Sequence, residues 1–192
     1  MKRIILNIGE VAVSREPVLL ETILGSCVAV CLWDGERGIG GLNHYLLPSE
    51  QTGTQKSTIY GGTSIDTLVE QIVHLGADIG ALQAWIFGGG AVIDALDGVF
   101  NIGDGNILIA RERLRIYGIP IVGEHVRDTS GIRVALRTAT GEITVRPLGK
   151  DSQAIAVKGG AAAYQQVQPC KTCIVCGSCI KPMNRRKGTL KR

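Results

Sequence analysis

The segment TILGSCVAVCLWD, residues 22–34, decides how the surrounding chain folds. A glycine–serine turn is followed by Cys27 at the start of an apolar, β-branched run, and such a run predicts a buried strand. The segment GGLNHYLLP, residues 40–48, brings in His44 after one short connection. If the two segments pair as a hairpin, Cys27 and His44 start and end neighbouring strands. The two side chains are then expected at the same end of the sheet.

A thiol beside an imidazole is the minimum for cysteine nucleophilic catalysis. The imidazole takes the thiol proton, the thiolate attacks, and the imidazolium later protonates the leaving group. The alternative is that the cysteine is a small core residue, which is the commoner role of a cysteine in an apolar run. Cys31 fits that alternative because it lies inside the predicted strand. Residue types alone therefore make Cys27 and His44 a candidate pair and leave both interpretations open.

Four blocks of sequence together resemble the CheD family, the chemoreceptor glutamine deamidases of bacterial chemotaxis. They are LGSCVAVCLWD (24–34), NHYLLP (43–48), FGGGA (87–91) and NIG (101–103), within a resemblance that covers roughly residues 4 to 148. The resemblance implies a protein-glutamine glutaminase. Such an enzyme hydrolyses glutamine side chains of methyl-accepting chemotaxis proteins to glutamate, releases ammonia and needs no cofactor. It also implies a related methylesterase activity and a complex with the phosphatase CheC.

The resemblance also implies roles for individual residues. Cys27 would be the nucleophile, His44 its base, and Thr22 a third active-site residue that orients His44, although Thr22 could equally be an ordinary strand residue. Backbone N–H groups of Ser26 and Cys27 could hold the oxyanion. The chain departs from the family at Gly105, where members usually carry an arginine two residues after the NIG block.

Two amphipathic segments predict the main helices. The first is expected to be capped by Thr63 or Ser64, and the second to run from the NIG block to about Tyr117. The apolar stripe of the first helix comprises Ile65, Leu68, Val69, Ile72 and Val73. Short alternating strands fill the rest, including a hairpin around residues 140–141 with an arginine-bearing outer face. We expect an α+β fold, an α/β sandwich of mixed, largely antiparallel sheets with two main helices. The CheD resemblance adds an expected relation to glutamine-deamidating toxins.

Four cysteines near the C-terminus form a C-x2-C-x2-C-x2-C motif. They are Cys170, Cys173, Cys176 and Cys179. Structural zinc sites usually have a longer span between cysteine pairs, and iron–sulfur runs have an x3 gap and a following proline that are missing here. We therefore expect a metal, either zinc or an iron–sulfur cluster, and the alternative is a set of free or oxidised thiols. The sequence is divided into a CheD-like deamidase domain, residues 1–160, and a cysteine-rich basic tail, residues 161–192.

Composition limits the possible classes of protein. The chain has 192 residues, of which 45% are hydrophobic and 20% charged, as in a soluble globular protein with a real core. No apolar run approaches the roughly 18 residues of a membrane span, and the first residues do not form a signal peptide. Because the cysteines do not form the framework of a small secreted protein, we expect a cytoplasmic protein.

The net charge of +4 comes from the C-terminal tail. Of the 21 lysines and arginines, six lie in residues 181–192, which leaves 15 against 17 acidic residues in the rest of the chain. Without interleaved aromatic residues this tail predicts a solvated segment rather than a nucleic-acid site. The alternative to the enzyme is a non-catalytic chemotaxis binding or redox-sensing module that uses the metal-bearing tail.

Overall fold

A computed structural model describes residues 1–49, 57–90, 102–149 and 155–157. The described residues form ten strands and two α-helices. In chain order they are β1 (Lys2–Ile5), β2 (Val11–Ser14), β3 (Val18–Leu24), β4 (Val28–Asp34), β5 (Ile39–Asn43), α1 (Gly61–His74), β6 (Leu82–Gly88), α2 (Ile102–Tyr117), β7 (Ile121–Val126), β8 (Ile132–Arg137), β9 (Ile143–Pro147) and β10 (Ile155–Val157). One turn of 3-10 helix, Ile79–Ala81, precedes β6.

The strands form two five-stranded sheets. The first sheet has the order β1-β3-β8-β9-β10 and the second the order β2-β5-β4-β6-β7. The β1–β3 and β6–β7 pairs are parallel, and the other ladders between these strands are antiparallel. The predicted α+β class with mixed, largely antiparallel sheets and two helices is confirmed.

Strand β4 shows why the chain forms layers. Its residues Val28, Val30 and Leu32 are fully buried in a core shared with α1 and α2. The alternating residues Ala29 and Cys31 are fully buried in a second core, between the two sheets. Because successive side chains of a strand point to opposite faces, one apolar run can serve both cores. The layers are thus helices, second sheet and first sheet, and the prediction that Cys31 is a core residue is confirmed.

Helix α1 begins earlier than the sequence predicted. Its N-cap is Tyr60, which makes no side-chain capping bond, so the expected cap at Thr63 or Ser64 is wrong. The Gly61 N–H is instead satisfied by the Leu47 carbonyl at 2.8 Å, a contact between distant segments that no local capping rule includes. The predicted stripe is buried at Ile65, Leu68, Val69 and Ile72. Its last member, Val73, was predicted wrongly because it is 40% exposed.

Both predicted hairpins are present. Strands β4 and β5 pair antiparallel around residues 35–38, and β8 and β9 pair around the Thr140-Gly141 turn. Along β8 buried residues alternate with more exposed ones, and Arg133 lies opposite Arg146 of β9 on the outer face. Neither helix of the described ranges is long and apolar enough to cross a membrane.

Candidate active site

The hairpin of β4 and β5 brings Cys27 and His44 to one end of the second sheet. Beyond the regular ladder, Val28 and Tyr45 exchange two backbone hydrogen bonds, of 3.1 and 3.0 Å. In this register Ala29 faces His44, so Cys27 and His44 are diagonal cross-strand neighbours on the same face. Cys27 packs against the core between the sheets, so this is the face towards the first sheet. The sequence prediction that both lie at one sheet end is confirmed.

Thr22 of β3 meets His44 from the first sheet. Its Oγ1 lies 2.7 Å from His44 Nδ1 and 2.9 Å from the Leu6 carbonyl oxygen. A hydroxyl has one proton, and a carbonyl can only accept, so the threonine donates to Leu6 and accepts from Nδ1–H. This assignment places the lone pair of the neutral imidazole on Nε2. Thr22 therefore selects the tautomer in which His44 can act as a base through Nε2.

Burial shifts the pKa values of both reactive groups in the direction that favours their neutral forms. Desolvation lowers the pKa of His44, and the Leu6 carbonyl and the Glu10 carboxylate oppose that shift. Desolvation likewise raises the pKa of the half-buried Cys27 thiol, while its own backbone N–H opposes the shift. Among the described residues, the buried Nε2 of His44 has no hydrogen-bond partner. Both shifts favour a neutral thiol and a neutral imidazole, and no described residue donates a hydrogen bond to Nε2 of that imidazole.

Three glycines, the last residue of β6 and the two that follow it, pack against the turn that precedes Cys27. Gly89 N–H donates to the Cys27 carbonyl and Gly90 N–H to the Gly25 carbonyl, both at 2.8 Å. Gly88 has φ +97°, and a Cβ there would lie 2.2 Å from the Cys27 carbonyl oxygen. Only glycine fits both this dihedral and this close approach. The triple glycine therefore packs tightly against the turn that precedes Cys27.

Helix α2 contributes Asn106, a residue that the sequence analysis did not assign to the site. Its fully buried side chain donates through Nδ2 to the Ser26 carbonyl at 3.2 Å and to the Leu46 carbonyl at 2.8 Å. The backbone carbonyl of Asn106 accepts a 2.6 Å hydrogen bond from the Tyr45 hydroxyl. The signal available in the sequence was an amide on the buried stripe of an amphipathic helix, next to Ile107. Such a polar residue needs a buried partner.

The other two histidines make none of these contacts with Cys27, His44 or Thr22. His125 contacts Asp128, with 3.1 Å between Nε2 and Oδ2, and His74 is exposed. Asn101 and the tail cysteines, Cys170, Cys173, Cys176 and Cys179, fall outside the described residues. Where side chains are described, no group of three or more His, Cys, Asp or Glu is placed to hold a metal ion.

At Gly105, the position where the sequence departs from the family pattern, a Cβ would lie 3.2 Å from Pro48 Cγ. A side chain there would therefore press against the segment that follows His44. The glycine instead lets α2 approach Pro48 closely.

Comparisons with known proteins agree on one family. The family model described as CheD chemotactic sensory transduction matches residues 46–147, a range that begins just after His44. The probable chemoreceptor glutamine deamidase CheD 1 of Anaeromyxobacter dehalogenans is 38% identical over 146 residues, which cover 76% of this chain and 85% of that protein. The probable chemoreceptor glutamine deamidase CheD of Bordetella parapertussis is 35% identical over 158 residues, covering 80% of this chain and 74% of that protein.

Among solved structures, the hypothetical protein YfiH of Bacillus licheniformis aligns with a TM-score of 0.41 at 15% identity, over 62% of this chain and 50% of that one. On the family model and these relatives, the chain belongs to the CheD family.

Proposed function

We propose that this chain is a chemoreceptor glutamine deamidase with Cys27 as its nucleophile. The family supports the activity, because its relatives carry that name. One contact carries the assignment of the site, the 2.7 Å between Thr22 Oγ1 and His44 Nδ1. It leaves Nε2 as a lone-pair nitrogen on the face of the sheet that Cys27 shares, as a general base for a thiol requires.

The proposed reaction passes through a thioester. Cys27 Sγ attacks the carboxamide carbon of a glutamine side chain while His44 Nε2 accepts the thiol proton. The tetrahedral intermediate collapses when His44 returns that proton to the nitrogen, so the C–N bond breaks and ammonia leaves. His44 then takes a proton from water, whose oxygen attacks the thioester. The C–S bond breaks, and glutamate and the free thiol are released.

The directions of both pKa shifts bear on when the thiolate forms. Because burial lowers the pKa of His44 and raises that of Cys27, we propose that the proton passes from Sγ to Nε2 as the sulfur attacks. Backbone N–H groups of Ser26 and Cys27 would then stabilise the oxyanion of the intermediate.

The activity is tested by the intact mass of a chemoreceptor cytoplasmic fragment from the same organism after incubation with the protein. Each deamidated glutamine changes the mass by the difference between an amide and a carboxylic acid, and peptide mapping locates it. Cys27→Ala should give no change. Cys31→Ala is the matched control, since that cysteine is fully buried and lies four residues beyond Cys27, and the variant should stay active. An unchanged receptor with the wild-type protein would refute the proposal.

Membership of the CheD family also supports proposals about the location of the substrate glutamines, the cellular compartment and a partner protein. We place the substrate glutamines on the helical cytoplasmic region of chemoreceptors, the protein in the cytoplasm, and a CheC-type phosphatase among its partners, which co-purification would test.

We also propose that the four tail cysteines bind zinc or an iron–sulfur cluster without taking part in catalysis. Replacing all four with serine should remove the metal measured by elemental analysis and leave deamidation in place. Loss of deamidation in that variant together with retention in Cys27→Ala would refute the assignment of Cys27 as the nucleophile. The absence of deamidation with every variant and with the wild type would favour the non-catalytic binding or redox-sensing module.

A further inference from the structure

Two buried side-chain polar atoms have no hydrogen-bond partner in the described part of the chain, His44 Nε2 and Asn106 Oδ1. The first belongs to the proposed base. The second needs its own explanation, because a buried acceptor without a donor is costly and native proteins usually avoid it. Asn106 lies in α2, one layer away from the face on which Cys27 and His44 meet.

The orientation of the Asn106 amide favours its donors over its acceptor. The amide nitrogen is within hydrogen-bond distance of two carbonyls, 3.2 Å from Ser26 O and 2.8 Å from Leu46 O. Both protons of one NH2 group are needed for these contacts, and a hydroxyl could supply only one. Ser26 directly precedes Cys27, and Leu46 follows His44 by two residues. One side chain therefore holds both segments that carry the candidate catalytic pair.

The contact with Ser26 determines the direction of the next N–H group. In a trans peptide the C=O and N–H bonds point in opposite directions. With the Ser26 carbonyl held towards α2, the N–H of Cys27 points away from α2, towards the side on which its own Sγ lies. The carbonyls on either side, of Gly25 and Cys27, are held by Gly90 and Gly89.

We infer that Asn106 is a positioning residue that holds the Ser26–Cys27 peptide so that the Cys27 N–H faces the oxyanion formed when Sγ attacks an acyl carbon. The inference rests on the proposed acyl chemistry at Cys27, but it does not depend on which amide is the natural substrate. The inference predicts that two reactions of Cys27 Sγ depend differently on Asn106. Attack on an acyl carbon creates an oxyanion and needs the donor, whereas displacement of a halide from an alkyl carbon creates none.

The test measures both reactions at Cys27 in the full chain, by quantifying the Cys27 peptide with mass spectrometry. Acylation by p-nitrophenyl acetate reports the oxyanion donor, and alkylation by iodoacetamide reports the thiol and His44. Asn106→Leu removes both amide donors at similar size, and Asn106→Asp keeps the shape. We expect either variant to lower the acylation rate by about 10- to 100-fold and to leave the alkylation rate close to that of the wild type. Thr138→Val is the control, a fully buried threonine whose contacts are with Glu16 and Val18.

Several outcomes would overturn the inference. Equal loss of acylation and alkylation would mean that Asn106 acts on the Cys27–His44 pair rather than on the oxyanion donor. An unchanged acylation rate would mean that the peptide holds its orientation without Asn106. Thermal unfolding is measured alongside, and failure of both variants to fold would assign Asn106 to the folding core. If the wild type is acylated but does not deamidate a receptor fragment, the proposed substrate fails while the selective effect of Asn106 stands.

Discussion

Replacing Thr22 with valine tests how the candidate base is oriented. Valine has nearly the same shape but neither accepts from His44 Nδ1–H nor donates to the Leu6 carbonyl. Both partners are buried, with Leu6 3% and His44 5% exposed, so water does not readily replace the hydroxyl. Each orphaned group costs about 1–3 kcal/mol. The two groups together cost about 2–6 kcal/mol. The usual stability of about 5–15 kcal/mol exceeds that loss over most of its range, and thermal unfolding checks that the variant is folded.

The free energy of the Thr22–His44 hydrogen bond determines how much deamidation should slow in Thr22→Val. Without the threonine, the imidazole loses its preference for the tautomer with the lone pair on Nε2. If that preference is worth about 1–3 kcal/mol, and about 1.36 kcal/mol corresponds to tenfold in rate, kcat should fall by about 5- to 150-fold. KM should change little, because Thr22 is fully buried and cannot touch the substrate.

The assay is deamidation of a receptor fragment under saturating conditions, with thermal unfolding followed in parallel. Thr138→Val is again the matched control, because Thr138 is equally buried and also uses its hydroxyl twice, accepting from Val18 N–H at 3.0 Å and donating to the Glu16 carbonyl at 2.7 Å. It should lose stability and keep its kcat. If Thr22→Val keeps the kcat of the wild type, Thr22 is an ordinary strand residue and the reasoning about the tautomer is refuted.

Three further outcomes are expected. Because the pKa of His44 is lowered from 6.5, kcat/KM should stay constant as the pH falls to 6.5 and decline only below it. The stability that comes from burying the neutral imidazole should be lost over the same pH range, from the unfolded pKa down through the folded one. A midpoint of the decline in kcat/KM above pH 6.5 would contradict this prediction. Gly88→Ala should lower the free energy of unfolding by about 3 kcal/mol or more because its Cβ meets the Cys27 carbonyl. The matched Gly38→Ala, also at positive φ but facing open space, should cost about 1–2 kcal/mol by denaturant titration, and equal losses would argue against the clash. In the folded protein iodoacetamide should modify Cys27 and spare Cys31, which is fully buried with a raised pKa, as peptide mapping would report; equal labelling would contradict the assigned burial.

Local sequence patterns predicted the parts of the fold that depend on periodicity. The continuous apolar, β-branched run in residues 28–32 predicted a buried strand, and the short connection to His44 predicted the hairpin that brings Cys27 and His44 together. The start of α1 could not be predicted in the same way, since the Leu47 carbonyl that satisfies Gly61 comes from a distant segment. Local capping rules consider only neighbouring residues.

The site was predictable only where one segment carries the signal. The CheD resemblance suggested Thr22, but its contact with His44 depends on packing between two different sheets. Asn106 is 79 residues from Cys27, and its contacts depend on how α2 lies against the second sheet. An apolar stripe predicts that a helix face is buried, but it does not say which backbone groups that face will meet.

Cys27 directly precedes β4, so the site can open only if the start of that strand moves. Strand β4 belongs to both cores, so its amide protons should be among the slowest in the protein to exchange with solvent. Segments of this kind usually open only with global unfolding. A partner protein that controls this site would therefore have to cover it or to deliver the substrate. Melting the strand locally would disrupt both cores at once.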